Sequence, residues 1–326
     1  MLYFYDRILC MEKVFLIFNT ACIGDMLVTN TLVQNIKAFY PNSKVIFVCN
    51  SPFVDVAKYQ DGVDDVLAFD KKKDKSLKGI LNFVKRFPYK KPFASFVTYA
   101  NERNLLISRL LGTRHIISHN KCKFWNTKEE FELKEYVHMK DKWGGLIEPL
   151  VGEHKNLPIK YCPPEINTPV VNMVKTLKNP VVVCTTSNFY KKDMKVADCI
   201  ELMKKLNEEG FTPLLTGAGK TAEDFNLGLK KSGYFNYVDL INCTTFPEFA
   251  NILKICNRCI TVDTGTLHFA NALNVPVVEV FYAGCAEMWA SDETLYPCRT
   301  LVGENVTPSE IMNAFKELNN EVCTIL

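Results

Sequence analysis

The stretch CITVDTGTLHFANALNVPVVEVFYA, residues 259–283, decides the fold of this chain. An apolar run at 259–263 has the length of a buried strand, 266–273 has helical spacing, and 276–282 is a second apolar run. Strand, helix and strand in this order form a β-α-β unit, in which both strands lie parallel in one sheet. Ligands bind such sheets beyond the carboxyl ends of the strands, so the turn at Asp263 is a candidate site.

The same alternation occupies most of the chain. Before residue 155 it predicts strands at 13–19, 44–49, 65–69, 93–99 and 114–118, with helices at 25–39, 52–59, 76–87 and 102–111. From residue 166 onward it predicts strands at 180–185, 212–216, 237–241, 259–263 and 276–282, with helices at 166–177, 196–209, 221–231, 247–256 and 266–273.

The proline-rich segment 155–169 is the predicted boundary between two domains, because it has no helical or strand periodicity. We therefore predict an α/β chain of two Rossmann-like domains, residues 1–160 and 161–326, whose parallel sheets face each other across a cleft. The capping-box pattern at 307–310 predicts a C-terminal helix. Residues 1–10 are either an extension or the result of a start-site choice, since a second Met stands at position 11, and they receive no role.

The composition is that of a globular protein, with 48% hydrophobic and 23% charged residues in 326, which argues against a disordered or coiled-coil chain. No apolar run approaches the roughly 20 residues that cross a bilayer. The start, MLYFYDRILC, lacks the pattern of a signal peptide. The 13 cysteines are scattered, mostly in apolar runs, which suits a reducing compartment and predicts a cytoplasmic location.

Charge is distributed unevenly. Residues 1–160 hold 25 Lys and Arg against 17 Asp and Glu, whereas residues 161–326 hold 14 against 19. Within 71–91, nine basic residues accompany one acid, Asp74. This run is either a solvated surface or a patch that attracts an anionic partner near a membrane or nucleic acid. No motif of interleaved aromatic and basic residues supports nucleic acid, which we do not expect as a partner.

Three turns after predicted strands carry residues that are candidates for catalysis or ligand binding. In the first, Gly24 permits a close turn, and Asp25 is either a helix N-cap or a general base. In the second, the hydroxyls of Thr185 and Thr186 precede Lys192, which suits either a phosphate or an ordinary polar loop.

The third turn is Asp263-Thr264-Gly265-Thr266, where the start of the next helix can receive a phosphate. His268, one turn further, is either at that site or packed in the interior.

Several enzyme classes lack their motifs. The segment 217–221 resembles the end of the phosphate-binding motif G-x-x-x-x-G-K-[ST]. The first glycine of that motif would stand at position 214, which is Leu214, so a nucleoside triphosphatase of the P-loop class is excluded. No G-x-G-x-x-G follows the first strand, so a nicotinamide dehydrogenase is not expected. There is also no G-x-S-x-G, and no D-x-D of the kind that holds a metal in many sugar transferases.

Three segments resemble glycosyltransferase family 9, the ADP-heptose:lipopolysaccharide heptosyltransferases. They are IGDMLVTNTLVQNIKAFYPNSKVIFVC (23–49), VHMKDKWGGLIEPLVG (137–152) and ITVDTGTLHFANALNVPVVEVFYAG (260–284). The resemblance spans roughly residues 13–322 and implies the GT-B fold, with the acceptor in the first domain and a nucleotide-sugar in the second.

The resemblance also implies the chemistry: a bacterial, inverting, metal-independent transfer of heptose from ADP-heptose to the core of lipopolysaccharide, without a cofactor. It makes Asp25 the catalytic base, with Gly24 in the acceptor-side loop. It assigns the donor site to the residues Thr185, Thr186, Lys192, Asp263, Thr264, Gly265, Thr266 and His268. We expect a monomer that takes an anionic glycolipid acceptor and contacts the inner membrane peripherally from the cytoplasm.

Alternatives stay open at this point. Thr221 stands where the family often has an acid near the ribose, and the nearest acid is Glu223, so another nucleotide-sugar could be the donor. A nucleotide-sugar epimerase shares the two-domain architecture. A degenerate transferase that only binds a sugar nucleotide is the third reading.

Overall fold

The computed structural model describes residues 12–99, 101–119 and 134–325, so the predicted N-terminal extension lies outside the described residues. These residues form two compact units that meet in sequence at Ile159 and Lys160. The proline-rich segment is hydrogen-bonded to the corresponding unit on each side of this division. The backbone of Lys155 exchanges two hydrogen bonds with the Asn35 side chain, and Tyr161 N donates to Ala272 O at 2.9 Å.

The first unit contains a five-stranded parallel sheet with the strand order β3-β2-β1-β4-β5. Central strand β1 is buried throughout most of its length, and Ile17 aligns with Phe47 on one side and Phe96 on the other. The strands are β1 (Val14–Phe18), β2 (Lys44–Asn50), β3 (Asp65–Phe69), β4 (Ala94–Val97) and β5 (His115–Ile117).

Seven helices are described in this unit, with 3-10 turns at Ser51–Phe53 and Gly145–Ile147. They are α1 (Ile23–Val28), α2 (Asn30–Phe39), α3 (Val54–Lys58), α4 (Leu77–Arg86), α5 (Glu102–Leu110), α6 (Met139–Gly144) and α7 (Glu148–Val151).

The predicted helix 25–39 is interrupted at Thr29. The Thr29 hydroxyl donates to the backbone carbonyl of Asp25 at 2.7 Å and accepts from the side-chain amide of Asn19 at 2.8 Å. Hydroxyl bonding to the carbonyl four residues back is a known cause of such a local break.

The second unit contains a six-stranded parallel sheet with the order β11-β10-β9-β6-β7-β8. Counted within the unit, this is the Rossmann order 3-2-1-4-5-6. Its strands are β6 (Pro180–Cys184), β7 (Thr212–Thr216), β8 (Val238–Asp239), β9 (Cys259–Val262), β10 (Val277–Phe281) and β11 (Cys298–Val302). The edge strand β11 was not predicted, because Arg299 and Thr300 interrupt its apolar pattern.

The helices of this unit are α8 (Pro169–Lys175), α9 (Val196–Glu208), α10 (Lys220–Lys231), α11 (Phe246–Cys256), α12 (Gly265–Ala272), α13 (Ala286–Trp289) and α14 (Pro308–Ile325). The predicted C-terminal helix and its capping box are confirmed, since Thr307 N donates to Glu310 Oε2 at 2.7 Å and Glu310 N donates back to Thr307 Oγ1 at 3.3 Å. Among the described residues, no helix is long and apolar enough to cross a membrane.

Candidate active site

The second unit reverses its strand order between β6 and β9, which are neighbours in the sheet. The chain leaves these two strands in opposite directions, which opens a crevice at their carboxyl ends where α/β sheets bind ligands. The loop 185–195 follows β6 and the turn 263–266 follows β9. Two of the three turns singled out from the sequence are therefore adjacent in space.

Lys192 and Asp263 form an ion pair at this point. Lys192 ends the 3-10 turn Tyr190–Lys192, and its Nζ lies 2.5 Å from Asp263 Oδ2. The Asp263 side chain is 7% exposed and that of Lys192 is 24% exposed. The carboxylate is therefore almost inaccessible to water, whereas the lysine side chain remains partly accessible to solvent. The loop is held in place by Met194 N, which donates to Thr185 O at 2.9 Å.

Gly284, in the loop after β10, lies beside the Lys192–Asp263 ion pair. Its φ of +110° is left-handed, and a Cβ placed there would lie 3.2 Å from Lys192 Cε and 3.5 Å from Asp263 Oδ2. A side chain would therefore press on the ion pair. Gly284 was not predicted as a site residue, although a glycine two residues after a predicted strand end was a usable signal.

The turn from β9 leads into α12, whose N-cap residue Thr264 makes no side-chain capping bond in the described structure. The backbone N–H groups of the first turn, at Gly265 and Thr266, are thus available to an external acceptor. Together with the helix dipole they favour an anion.

Thr185 and Thr186 are buried at the end of β6, with 1% and 8% exposure. A Cβ placed on Gly217 would lie 3.6 Å from the Thr186 hydroxyl, so this hydroxyl lies beside the turn after β7. Below them, Cys184 is packed near the hydroxyl of Thr266, and burial raises the pKa of its thiol, which therefore stays neutral.

His268 is packed in the interior of the unit. It is 5% exposed, and its ring lies 5.7 Å from that of Trp289. Nearby, Glu279 is fully buried on β10, and burial raises the pKa of its carboxyl group. Glu279 accepts hydrogen bonds from the backbone and hydroxyl of Ser291, at 2.9 and 2.8 Å, and from the Thr300 hydroxyl. The carboxylate inside the apolar run VPVVEVFYA (275–283) is visible in the sequence, but a role for Glu279 was not predicted.

Glu223, the acid nearest to Thr221, is bound to a neighbouring loop. Its carboxylate accepts from Asn242 Nδ2 at 2.7 Å, and Asn242 Oδ1 accepts from Gly219 N at 2.7 Å. This link orders the turn between β7 and α10.

In the first unit the strand order reverses between β1 and β4, and here Asp25 and Tyr99 meet. Asp25 follows β1, Tyr99 follows β4, and the Tyr99 hydroxyl donates a hydrogen bond to Asp25 Oδ1. The N-cap of α1 is Cys22, so Asp25 is the third residue of the helix rather than its cap. Tyr99 was not predicted, because the contact depends on which strands are neighbours.

Burial raises the pKa of Asp25 above its ordinary value of 3.8, and the hydrogen bond from Tyr99 partly opposes that rise. Burial also raises the pKa of Tyr99, so its hydroxyl remains a donor. The Tyr99 ring packs edge-on against Trp143, with centroids 5.1 Å apart. Trp143 is 1% exposed and lies in the segment 137–152, which thereby supports the carboxylate indirectly.

Among residues 12–99, 101–119 and 134–325, no group of three or more His, Cys, Asp or Glu side chains is arranged to hold a metal ion. The polar groups at both strand reversals are instead a single carboxylate with a phenol, and an ammonium with a carboxylate.

Comparisons with known proteins show what the chain is similar to. The sequence model of glycosyltransferase family 9 (heptosyltransferase) matches residues 156–299. The chain is 22% identical over 321 residues to lipopolysaccharide heptosyltransferase 3 of Escherichia coli. The matched region covers 85% of this chain and 88% of that protein.

Two solved structures are similar over nearly their whole length. The glycosyl transferase family 9 protein from Veillonella parvula DSM 2008 has a TM-score of 0.80 at 14% identity and covers 95% of this chain and 98% of its own. The E. coli heptosyltransferase WaaC with ADP-2-deoxy-2-fluoro heptose has a TM-score of 0.71 at 14% identity, with 93% and 99% covered. These likenesses confirm the predicted GT-B class of fold. Residues 156–299 match the glycosyltransferase family 9 domain, in agreement with the resemblance, and the chain is a glycosyltransferase.

Proposed function

We propose that the protein transfers heptose from ADP-heptose to the core of a lipopolysaccharide acceptor, with inversion at the anomeric carbon and without a metal ion. The observation that carries the proposal is the Lys192–Asp263 pair at the strand reversal of the second unit, beside the free start of α12. The names of the relatives add support: one is a lipopolysaccharide heptosyltransferase, and another was solved with an ADP-heptose analogue.

The second unit, close to the expected residues 161–326, binds the donor. The diphosphate lies at the start of α12, within reach of Lys192 and of the hydroxyls of Thr185 and Thr186. As the bond between the anomeric carbon and the phosphate oxygen breaks, negative charge grows on the leaving diphosphate. Donors already fixed around it stabilise that charge without reorganising, which is the role that a metal ion plays in other transferases.

The first unit, close to the expected residues 1–160, binds the acceptor. Asp25 accepts the proton of an acceptor hydroxyl while that oxygen forms a bond to the anomeric carbon from the face opposite the leaving group. A carboxylate whose pKa is raised by burial is a stronger base than one in water, which suits this step. Tyr99 positions the carboxylate through its hydrogen bond, and the proton passes to solvent after the product leaves.

The central test is transfer by purified wild-type protein and Asp25→Asn, with ADP-heptose and a core acceptor that lacks heptose. We expect the variant to lose transfer by about 10²–10⁴-fold, the usual contribution of a general base, and to bind ADP normally. Retention of transfer within a few-fold of wild type would remove Asp25 from the mechanism. The anomeric configuration of the product, read by NMR, checks inversion.

Two further measurements test the finer parts of the proposal. Transfer in excess EDTA should match the untreated rate, and strict dependence on an added divalent ion would contradict the charge assignment. Incubation of the donor without acceptor separates transfer from epimerisation, since an epimerase would convert the sugar under these conditions. A screen of ADP-, UDP- and GDP-sugars by thermal shift tests the nucleotide, which Thr221 leaves open.

A further inference from the structure

Helix α4 and the loop before it form a surface of uniform positive charge, which we call the lysine surface (residues 71–86). Every Lys and Arg in it is exposed. Its one acid, Asp74, is 1% exposed and lies beneath the surface, where it accepts from Arg86 Nη2 at 2.6 Å and from Asp70 N at 2.9 Å. The buried carboxylate is thus neutralised from within and offers no negative charge to an approaching partner.

The outer face of α4 also exposes two leucines. Leu77 is 65% exposed and Leu81 is 44% exposed, and their spacing of four residues places them one turn apart on the same face. The inner face buries Ile80 and Phe83 in the core of the unit, so the helix cannot rotate to hide the leucines. Its start is fixed by Ser76, whose hydroxyl accepts from Gly79 N at 3.1 Å.

The lysines beside these leucines are not engaged by the protein. In the described part of the chain, the side chains of Lys71, Lys72, Lys75, Lys78 and Lys85 make no ion pair or hydrogen bond, and only the backbone N of Lys72 donates to Asp70 Oδ1 at 2.8 Å. A helix with exposed aliphatic residues and flanking lysines is the pattern of segments that lie in the interface of a membrane. Anionic headgroups attract the lysines, and the leucines enter the boundary with the acyl chains.

We propose that the lysine surface docks the protein on an anionic phospholipid bilayer, with Leu77 and Leu81 as its apolar anchors. The inference extends the proposed function, because an acceptor carried on a lipid is reached from the membrane surface. Nucleic acid would use the lysines but leave the leucines without a role, since it is bound through phosphate contacts and aromatic stacking. The leucines therefore separate the two partners.

The test is co-sedimentation of the full chain with vesicles of phosphatidylglycerol and phosphatidylcholine, and with vesicles of phosphatidylcholine alone. The wild-type protein should bind the anionic vesicles and release in high salt. The double variant Leu77→Gln/Leu81→Gln keeps every charge and should bind roughly tenfold more weakly. Its control is Leu227→Gln, which alters a 51% exposed leucine on α10 of the other unit and should bind as wild type does.

A second pair of variants tests the charge. Lys78→Glu/Lys85→Glu should reduce binding to anionic vesicles by roughly tenfold or more, whereas Lys204→Glu/Lys231→Glu makes the same change of net charge on the second unit and should have little effect. Circular dichroism of each variant establishes that it is folded.

Equal binding of wild type to neutral and anionic vesicles would overturn the proposal. An equal loss of binding in a test variant and in its control variant would also overturn it. If Lys78→Glu/Lys85→Glu loses vesicle binding but Leu77→Gln/Leu81→Gln binds as wild type does, the surface would be assigned to a dissolved anion or a nucleic acid instead. The assay contains no donor or acceptor, so its result is independent of the proposed transfer. With a soluble core acceptor, Leu77→Gln/Leu81→Gln should transfer at the wild-type rate.

Discussion

Lys192 Nζ lies 2.5 Å from Asp263 Oδ2, and this contact joins two loops that are 71 residues apart in the sequence. The pair has two separable effects. It compensates a carboxylate that is only 7% exposed, and it sets an ammonium where a donor diphosphate is proposed to bind.

Lys192→Met should therefore lower both stability and donor affinity. Loss of a charged hydrogen bond to a nearly buried carboxylate costs about 1.5–3 kcal/mol of unfolding free energy. The double variant Lys192→Met/Asp263→Asn should recover much of that stability, because no uncompensated charge remains, but should still bind ADP weakly. Thermal unfolding and calorimetric titration with ADP measure the two effects. Wild-type affinity in the double variant would show that Lys192 only supports the fold.

Gly284→Ala should impair donor binding through contact with the ion pair. Its matched control is Gly210→Ala, because Gly210 also has positive φ, at +79°, but has nothing within 4 Å of an added Cβ. Both variants should lose about 1–2 kcal/mol of stability from backbone strain. Only Gly284→Ala should also raise the KM for the donor, and an equal KM in the two variants would contradict the contact.

Tyr99→Phe should shift the pH dependence of transfer. The Tyr99 hydroxyl donates to Asp25 and lowers the pKa of its carboxyl group, so removal of the hydroxyl raises that pKa further. Because the base acts when ionised, the acid limb of the kcat/KM profile should move to higher pH, while the rate above the limb changes only a few-fold. Tyr40→Phe, which removes a hydroxyl elsewhere in the first unit, should leave the profile in place. A shift to lower pH would contradict the assignment.

His154 should make stability depend on pH. The neighbouring carboxylate of Asp141, and then that of Glu148 at 2.9 Å from Nδ1, raise the pKa of His154 above its ordinary 6.5. The stabilisation is therefore complete below pH 6.5 and is lost as the pH rises through the higher value in the folded protein. Urea unfolding at a series of pH values should show this loss in wild type and a flatter profile in His154→Gln. An identical slope in the two proteins would exclude the effect.

The strands and helices could be predicted because they depend on local periodicity. Strand β3 and helix α9 start where the sequence predicted them, since alternation and apolar spacing are properties of the segment itself. The turns at Asp25 and Asp263 were selected for the same reason, because a polar residue after a buried strand is visible without the fold.

The contacts within the site could not be predicted in this way. Tyr99 reaches Asp25 because β4 is the neighbour of β1, and no local pattern records that order. The left-handed backbone of Gly284 and its packing against Lys192 likewise depend on the loop after β10. The sequence therefore identified the residues that carry charge but not those that hold them in place.

Each unit places one indole in ring contact with a residue of its candidate site: Trp143 beside Tyr99 and Trp289 beside His268. The chain has three tryptophans, of which Trp125 lies outside the described residues. Replacing two of them by phenylalanine leaves a single tryptophan in a chosen unit, whose emission can be excited selectively over that of the tyrosines. Emission from such variants would report binding at the proposed acceptor and donor sites separately, in real time and without a label.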